Sequence, residues 1–235
     1  MKLNGIKVTW LGHSTFLFET PGGKKILVDP WVMGNPSTPD DKKTFDKLDV
    51  ILCTHGHGDH IGDGVALAKQ YDCKVVGSYE ICLWMKKKGI EKIAPMNKGG
   101  SQDVGEAWAT MVQAEHSSGI EDGGEVLYGG EAAGYVIQFE NGLRIYHAGD
   151  TNVFGDMQMI HEIYQPHIAL LPIGDLFTMG PREAAHACRL LKPKAVIPMH
   201  WGTFPVLTGT PQELERRIKD LGIELITMKP GETIS

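Results

Sequence analysis

The segment Thr54-His55-Gly56-His57-Gly58-Asp59-His60 constrains this chain more than any other. It holds three imidazoles and one carboxylate and has no apolar face to bury, so it offers side chains of the types that bind metal ions. Glycine at positions 56 and 58 permits a tight, irregular loop. In such a loop His55 and His57 can converge on one point while Asp59 and His60 turn toward a second. The spacing therefore predicts a site for two metal ions.

Further side chains of ligand type come directly after other predicted strands. They are His116 after residues 107–115, Asp150 after 143–147 and His200 after 195–199. A lone histidine beside a strand is usually an ordinary structural residue. Loops positioned by a rigid sheet commonly carry functional residues, however, and here ligand-type residues follow four strands. We therefore expect these loops to complete the metal site.

Short apolar runs rich in β-branched residues and separated by glycine predict strands, and later segments alternate with helices. The predicted strands are 7–11, 15–19, 25–28, 50–54, 74–77, 107–115, 135–140, 143–147, 167–172 and 195–199. The predicted helices are 64–71, 79–88, 157–164, 181–191 and 211–221. Strand pairs early in the chain and strand–helix units later predict a mixed α/β fold.

The last predicted helix has the clearest end signals. Thr210 is a natural N-cap, Pro211 fits the first helical position, Glu213 completes a capping box, and Gly222 can end the helix. No low-complexity tract or charged linker divides the chain. We therefore expect residues 1–235 to form a single domain.

Composition and charge exclude several classes of protein. Apolar residues make up 42% of the chain and charged residues 22%, as in ordinary globular proteins, which excludes disorder, collagen and coiled coil. The 23 basic and 29 acidic side chains give a net charge of −6. This balance makes nucleic acid an unexpected partner, although it leaves a local basic groove open. The longest apolar stretches, such as residues 168–173, are far shorter than the roughly 20 residues that span a bilayer, so we expect no membrane partner.

The cysteines and the N-terminal residues bear on localisation. Cys53, Cys73, Cys82 and Cys188 form no C-x-x-C pair, and we interpret them as free thiols of a reducing compartment. The first residues lack the continuous apolar region of a secretory signal. We therefore expect a cytoplasmic protein, and the sequence leaves its oligomeric state open.

The motif His55-x-His57-x-Asp59-His60 resembles the H-x-H-x-D-H signature of the metallo-β-lactamase superfamily, and the resemblance extends over nearly the whole chain. It implies a four-layer αβ/βα sandwich, in which two mixed β-sheets lie face to face with helices on their outer faces and metals at one edge. The runs at 11–14, 172–181 and 197–200 are most similar to metal-dependent hydrolases related to ascorbate-6-phosphate lactonase.

The resemblance also implies which residue holds which metal. The first metal would be held by His55, His57 and His116, the second by Asp59, His60 and His200, and Asp150 would bridge the two. Asp29 matches an early aspartate of the superfamily that orients the metal loop from behind. The alternative for Asp29 is a turn residue before Pro30.

Such a site implies hydrolysis, because two adjacent divalent cations favour a bridging hydroxide near neutral pH and polarise the electrophile. Asp59 is the predicted catalytic residue, since it could orient the hydroxide as well as bind metal. Zinc is the first expectation for the ion, and manganese, nickel or iron also suit imidazole and carboxylate ligands. A redox di-iron role is disfavoured, because oxygen-reducing relatives typically place a glutamate where this chain has His57. A mononuclear iron oxidation stays open.

Three classes of function follow. The first is a hydrolase of a small molecule such as a lactone or a phosphorylated ester. The second is a phosphodiesterase or RNA-processing nuclease, which the acidic balance opposes. The third is a non-catalytic metal-binding protein, which the full set of ligands opposes.

Several residues near the motifs have no settled role. His13 and His147 are candidate proton donors or packing groups, whereas His161, His167 and His186 are expected to be structural. Residues 117–134, with six glycines, predict a surface loop that is either a mobile lid or without a binding role. Trp201, Thr203 and Phe204 could line a pocket, although core packing also explains the two aromatic residues.

Overall fold

The computed structural model describes residues 2–235. The strands of the first half are β1 (Lys7–Gly12), β2 (Thr15–Glu19), β3 (Lys25–Val28), β4 (Val50–Leu52), β5 (Lys74–Ser78), β6 (Ile93–Met96), β7 (Ser101–Asp103) and β8 (Ala107–Gln113). The later strands are β9 (Gly119–Asp122), β10 (Glu125–Tyr128), β11 (Ala133–Phe139), β12 (Arg144–His147), β13 (Ile168–Pro172), β14 (Ala195–Met199), β15 (Glu224–Leu225) and β16 (Thr233–Ile234). The helices are α1 (Gly58–Ile61), α2 (Gly64–Tyr71), α3 (Tyr79–Lys87), α4 (Met157–Tyr164), α5 (Pro181–Leu191) and α6 (Pro211–Ile218).

The strands form two mixed sheets of seven strands and one separate hairpin. The first sheet has the order β16-β1-β2-β3-β4-β5-β6, and the second has the order β15-β14-β13-β12-β11-β8-β7. The C-terminal strand β16 pairs with β1, so the chain's end returns to its first sheet. Strands β9 and β10 pair only with each other.

The two sheets pack face to face around a shared apolar core. The rings of Phe18 in β2 and Phe139 in β11 lie 5.9 Å apart, and both are buried. Full burial of a side chain of this size stabilises the fold by about 1.5–3 kcal/mol. On the other side of the first sheet, Ile51 packs with Leu67 of α2 and Met85 of α3 in a second cluster. Helix α5 packs on β13 of the second sheet, so helix, sheet, sheet and helix stack in layers, and the predicted four-layer sandwich is confirmed.

Parallel pairing brings the ends of the site-bearing strands to one edge. Strands β3, β4 and β5 run parallel in the first sheet, as do β12, β13 and β14 in the second. Strand β8 points the same way as β12, because both are antiparallel to β11. Backbone hydrogen bonds join the two edges, from Ala133 N–H to the Thr54 carbonyl at 3.1 Å and from His200 N–H to the His13 carbonyl at 3.0 Å.

Two expectations about local structure were wrong. The loop after β4 is not irregular throughout, because α1 begins at Gly58 and the N–H of Ile61 donates to the carbonyl of His57 at 3.0 Å. Residues 117–134 contain the hairpin of β9 and β10, whose turn residues Gly123 and Gly124 have φ values of 62° and 87°. Two successive positive φ angles are typical of the tight turn that Gly-Gly favours between strands.

The remaining differences concern ends and short elements. Helix α6 begins as predicted, with the Thr210 hydroxyl accepting the N–H of Glu213, but it ends at Ile218 rather than at residue 221. The short strands β6, β7, β15 and β16 were not predicted. Within residues 2–235, no helix has the length and apolarity that crossing a membrane requires. All four cysteines are buried and free, as predicted.

Candidate metal centre

The predicted ligands converge at the edge where the two sheets meet. Their donor atoms form overlapping groups, and within each group these atoms lie no more than 4.8 Å from one another. The groups are His55, His57 and His116; His55, His60 and Asp150; and His13, Asp59, His60 and His200. All seven predicted metal ligands are therefore brought together, and His13 joins them.

The first cluster consists of His55, His57 and His116. Nε2 of His55 lies 3.0 Å from Nδ1 of His57, and the His116 ring centroid is 5.1 Å from each of the other two. His55 is fully buried, while His57 and His116 are partly exposed. Burial lowers the pKa of all three imidazoles, so they are neutral near pH 7. Neutral imidazole is the form that binds a metal ion.

The second cluster consists of Asp59, His60 and His200 together with His13. Helix α1 supplies Asp59 and His60, and His200 follows β14 in a left-handed conformation with φ 55°. The rings of His13 and His200 are in close contact, with centroids 3.8 Å apart. Burial raises the pKa of Asp59, but the hydrogen bond from His13 and the charge of His60 outweigh it and hold that pKa well below its usual value. Asp59 is therefore a carboxylate.

Asp150 lies between the two clusters. Its Oδ2 is 3.2 Å from Nε2 of His60, 3.0 Å from Nε2 of His200 and 3.8 Å from Nε2 of His116. Burial opposes its ionisation, yet His200 and His60 outweigh burial and keep its pKa well below the ordinary range. One ionised oxygen is thus within reach of residues from both clusters, which is the position that a bridging ligand requires.

Asp29 holds the metal loop from behind. Its carboxylate accepts the N–H of Thr54 at 2.8 Å and the Thr54 hydroxyl at 2.8 Å, and its Oδ2 lies 2.7 Å from Nδ1 of His60. These contacts turn Nε2 of His60 toward Asp150. Asp29 also lies in the turn after β3, with φ 52°. Its buried carboxylate orients Thr54 and His60 in addition.

Buried nitrogens without hydrogen-bond partners show that these residues fit a metal ion. Nδ1 of His200 is buried without any partner, and Nε2 of His60 and of His200 face Oδ2 of Asp150 at ion-pair distance but not in hydrogen-bond geometry. An unpaired buried polar atom is costly and rare in folded proteins. Imidazole and carboxylate donors pointing into one buried space suit a divalent cation of the zinc type.

The two candidate proton donors have different surroundings. His147 uses both ring nitrogens on the backbone, since Nε2 lies 2.9 Å from the Ser14 carbonyl and Nδ1 accepts the N–H of Gly149 at 3.1 Å. It fastens the Asp150 loop to the β1–β2 turn and is not free to deliver a proton. His13 faces the site, with Nε2 3.2 Å from Oδ2 of Asp59 and Nδ1 3.0 Å from Oγ1 of Thr203.

The remaining histidines lie outside the ligand groups. His167 accepts the N–H of Arg144 at 3.1 Å, and His186 is exposed on α5. His161 lies on α4. No ligand group found within residues 2–235 includes any of the three.

The β9–β10 hairpin is docked at both ends. Near its base, the Ser118 hydroxyl accepts the N–H of Gly56 at 3.0 Å and the Ser117 hydroxyl lies 3.2 Å from Nε2 of His57. Near its turn, Asp122 accepts the indole N–H of Trp84 at 2.8 Å. These contacts hold the hairpin against the first cluster, where it forms a wall of the site. Sequence reasoning missed both serines, because two small polar residues in a glycine-rich segment carry no distinctive pattern.

Of the three candidate pocket residues Trp201, Thr203 and Phe204, two face the site. The Phe204 ring lies 5.7 Å from that of His13, and Thr203 contacts His13 as described. Trp201 instead stacks on Trp10 at 5.6 Å and belongs with the core. Trp31, which the sequence did not single out, completes the aromatic contacts of His13 at 5.2 Å.

Two face-to-face sheets with a buried histidine and aspartate centre at their common edge define a metallo-β-lactamase-type hydrolase. The family model described as the beta-lactamase superfamily domain matches residues 7–200. The chain belongs to this superfamily and, within it, to the UPF0173 metal-dependent hydrolases. The resemblance predicted from the motif is thereby confirmed.

Individual relatives match along the whole chain. A UPF0173 metal-dependent hydrolase from Koribacter versatilis is 57% identical over 235 residues, which cover 100% of both chains. One from Solibacter usitatus is 53% identical, covering 97% of this chain and 99% of its own. The solved structure of Igni18, a metallo hydrolase from the archaeon Ignicoccus hospitalis, is similar with a TM-score of 0.87, 35% identity and 97% coverage of each chain.

Proposed function

We propose that this metal-dependent hydrolase binds two divalent metal ions and hydrolyses a small molecule. The observation that carries the proposal is the position of Asp150, whose Oδ2 lies within 3.2 Å of both His60 and His200 and 3.8 Å from His116. A carboxylate shared by two histidine clusters is the arrangement that a two-metal site needs.

The proposed ligands follow the two clusters. His55, His57 and His116 would hold the first metal, Asp59, His60 and His200 the second, and Asp150 would belong to both. Zinc is the proposed ion, because the donors are mainly imidazole with added carboxylate. When bound, the ions would supply a nucleophile from water near neutral pH and polarise the bond to be cleaved.

The chain's own residues would order this chemistry. Asp59 is the proposed catalytic residue, since its ionised carboxylate lies in the second cluster and its side chain is 32% exposed, which leaves it accessible to water and substrate. Asp29 would fix His60, and the docked hairpin would fix His57. We also propose that the protein works in the cytoplasm, because four buried free thiols suit a reducing compartment.

The test combines metal content with turnover. Chelator-treated and zinc-reconstituted protein would be analysed for bound metal and assayed with a lactone, a phosphodiester and a thioester. We expect two ions per chain and zinc-dependent cleavage of one substrate class. Asp150→Asn should lower the metal content, whereas His186→Asn, on an exposed helix face, should not.

Other results would contradict parts of the proposal. One ion per chain in both the parent and the Asp150 variant would overturn the bridging role. Two bound ions without cleavage of any substrate would favour a binding protein. Preferred cleavage of the phosphodiester would favour the nuclease branch over a small-molecule hydrolase.

A further inference from the structure

The loops that carry the site contain no lysine and no arginine. These loops are residues 12–14, 29–39, 53–63, 114–132, 148–156, 173–180 and 200–210. Sites that recognise phosphate or carboxylate groups normally use Arg or Lys side chains, and nucleic-acid sites use several of them. A substrate with a phosphate group outside the reacting bond would therefore find no cationic side chain on these loops.

Two basic residues beside these loops are already paired with acidic side chains. Lys98, on the loop after β6, lies 2.8 Å from Glu131 and 2.6 Å from the side-chain oxygen of Gln113. Arg182, just beyond residues 173–180, lies 3.3 Å from Glu183. Both cations therefore already face a carboxylate, and Arg182 does so while 81% exposed.

Two aromatic side chains, Trp31 and Phe204, lie beside His13 and form what we call the apolar wall. The Trp31 and Phe204 rings lie 5.2 Å and 5.7 Å from the His13 ring and 5.9 Å from each other. Both side chains are partly exposed. The second ligand cluster therefore has an apolar surface beside it that a substrate can contact.

Further large apolar side chains are exposed on two of the loops that carry the site. Val206 lies in a turn that begins at Phe204 and is closed by the N–H of Leu207 donating to the Phe204 carbonyl at 3.0 Å. Leu176 and Phe177 occupy the tip of residues 174–180 and are 63% and 57% exposed. Large apolar side chains exposed beside a functional site are typical of a binding surface.

The 174–180 loop is fixed against the metal centre. A Cβ atom added at Gly174 would lie 2.1 Å from the carbonyl oxygen of His200 and 3.2 Å from its Nδ1, so only glycine fits there. At the other end, the N–H of Met179 donates to the Thr151 carbonyl at 3.1 Å, next to Asp150. The apolar tip therefore lies between Gly174, which packs against the proposed ligand His200, and Met179, which is hydrogen-bonded to the residue after the proposed ligand Asp150.

The backbone at this tip is strained. Asp175 and Leu176 are consecutive non-glycine residues with φ values of 67° and 57°. Left-handed backbone is unfavourable for a bulky residue such as leucine, and the exposed Leu176 side chain gains little packing in return. Strain that packing does not offset concentrates at binding and active sites.

From these observations we infer that the substrate carries no phosphate or other anionic group outside the scissile bond, and that its apolar chain lies along Trp31, Phe204, Leu176 and Phe177. The inference rests on the proposed hydrolase function and narrows its substrate class. Among lactones and phosphorylated esters, it selects uncharged lactones or esters with an alkyl or aryl substituent.

The first experiment measures zinc-dependent hydrolysis of γ-lactones whose alkyl side chain grows from methyl to heptyl. A matched lactone bearing a phosphate group instead of the alkyl chain is the charged comparison. We expect kcat/KM to rise about twofold to fourfold for each added methylene that the wall covers. Equal or better turnover of the phosphate-bearing lactone would overturn the inference.

Substitutions at the tip of the 174–180 loop test whether its apolar side chains cause the rise of kcat/KM with alkyl chain length. Leu176→Ser and Phe177→Ser should each reduce the gain in kcat/KM with chain length. Ile163→Ser is the matched control, because Ile163 is 62% exposed on α4, near the end that leads into the start of β13, away from the metal edge. An equal effect of all three substitutions would contradict a role for the 174–180 loop.

A binding series separates this inference from the proposed function. Alkyl hydroxamates of increasing chain length would be titrated into zinc-loaded protein by calorimetry. Affinity that rises with chain length, without turnover of any lactone, would support the apolar wall and refute only the reaction. If neither turnover nor affinity depends on chain length, the inference is overturned whether or not hydrolysis occurs.

Discussion

His13 and Asp59 meet across the second ligand cluster, with Nε2 of the imidazole 3.2 Å from Oδ2 of the carboxylate. Burial lowers the pKa of His13 to about 4, although Asp59 acts in the opposite direction. The ring is therefore neutral at pH 7. Since a carboxylate can only accept, the proton lies on Nε2, and Nδ1 accepts from the Thr203 hydroxyl 3.0 Å away. His13 thus holds Asp59 in position and is itself held by Thr203.

If the centre holds two ions as proposed, replacing His13 should weaken binding of the ion in the second cluster. We choose His13→Asn, because asparagine tolerates the φ of 53° at this position and its side chain is too short to reach as the imidazole does. Loss of a group that orients a metal ligand typically lowers metal affinity about 10–100-fold. Competition titration with a chromophoric chelator would measure this change, with one of the two ions weakened and the other retained.

Thr203→Val and His186→Asn are the comparisons for His13. The valine variant keeps the shape of Thr203 and removes one hydrogen bond, so we expect a smaller loss of affinity than in the His13 variant. His186 lies exposed on α5, and its replacement should leave both affinities unchanged. Unchanged binding of both ions in the His13 variant would refute its positioning role.

Asp29→Asn should weaken the centre without altering the backbone. Asp29 has φ 52°, which asparagine accepts, but the amide has one acceptor oxygen where the carboxylate has two. The contacts to Thr54 and to Nδ1 of His60 can then no longer all be kept. We expect about 10–100-fold weaker zinc binding. Isothermal titration of zinc into metal-free protein would measure it.

Circular dichroism provides the control for Asp29→Asn. The far-ultraviolet spectrum of the zinc-loaded variant should match that of the parent protein, so that a change in affinity reports ligand orientation. Zinc affinity equal to that of the parent would show that Thr54 and His60 keep their positions without the carboxylate.

The convergence of the candidate ligands could be predicted from the sequence because these residues are dense and chemically distinctive. His55, His57, Asp59 and His60 stand together in one segment, and the other candidate ligands each follow a strand. Trp31 and Phe204 carried no such signal, because their contact with His13 arises from loops that are far apart in the chain. The Asp29 carboxylate was visible as a candidate, but only its three hydrogen bonds distinguish an orienting group from a turn residue.

The fold was predictable where elements are long and periodic. Helices such as α5 match their predicted bounds, whereas β15 and β16 have two residues each and are too short to show alternation. The β9–β10 hairpin was overlooked because six glycines favoured a loop, although Gly123-Gly124 is also a signal for a tight turn. Helix α1 was missed because glycine and histidine give weak helical propensity to a single turn.

The cysteines should be unreactive in the folded protein. Burial raises the pKa of Cys73 and Cys82 to about 11 and that of Cys188 to about 12, and it also raises the pKa of Cys53. Thiolate is the reacting form, and little of it exists at pH 8. Ellman's reagent should therefore detect no rapidly reacting thiol in native protein and four in denaturant. A rapid native reaction would contradict the burial of at least one cysteine.

Two buried tyrosines provide a matched test of how the sheets are joined beside the metal loop. The Tyr135 hydroxyl in β11 donates to the Cys53 carbonyl after β4 at 2.9 Å, whereas the Tyr146 hydroxyl in β12 is buried without a hydrogen-bond partner. Tyr135→Phe removes a hydrogen bond between the sheets and should lower the free energy of unfolding by about 1–2 kcal/mol. Tyr146→Phe removes an unpaired polar group and should leave stability unchanged or raise it. Urea unfolding of the metal-free proteins would measure both, and equal losses in the two variants would refute the distinction between the two hydroxyl groups.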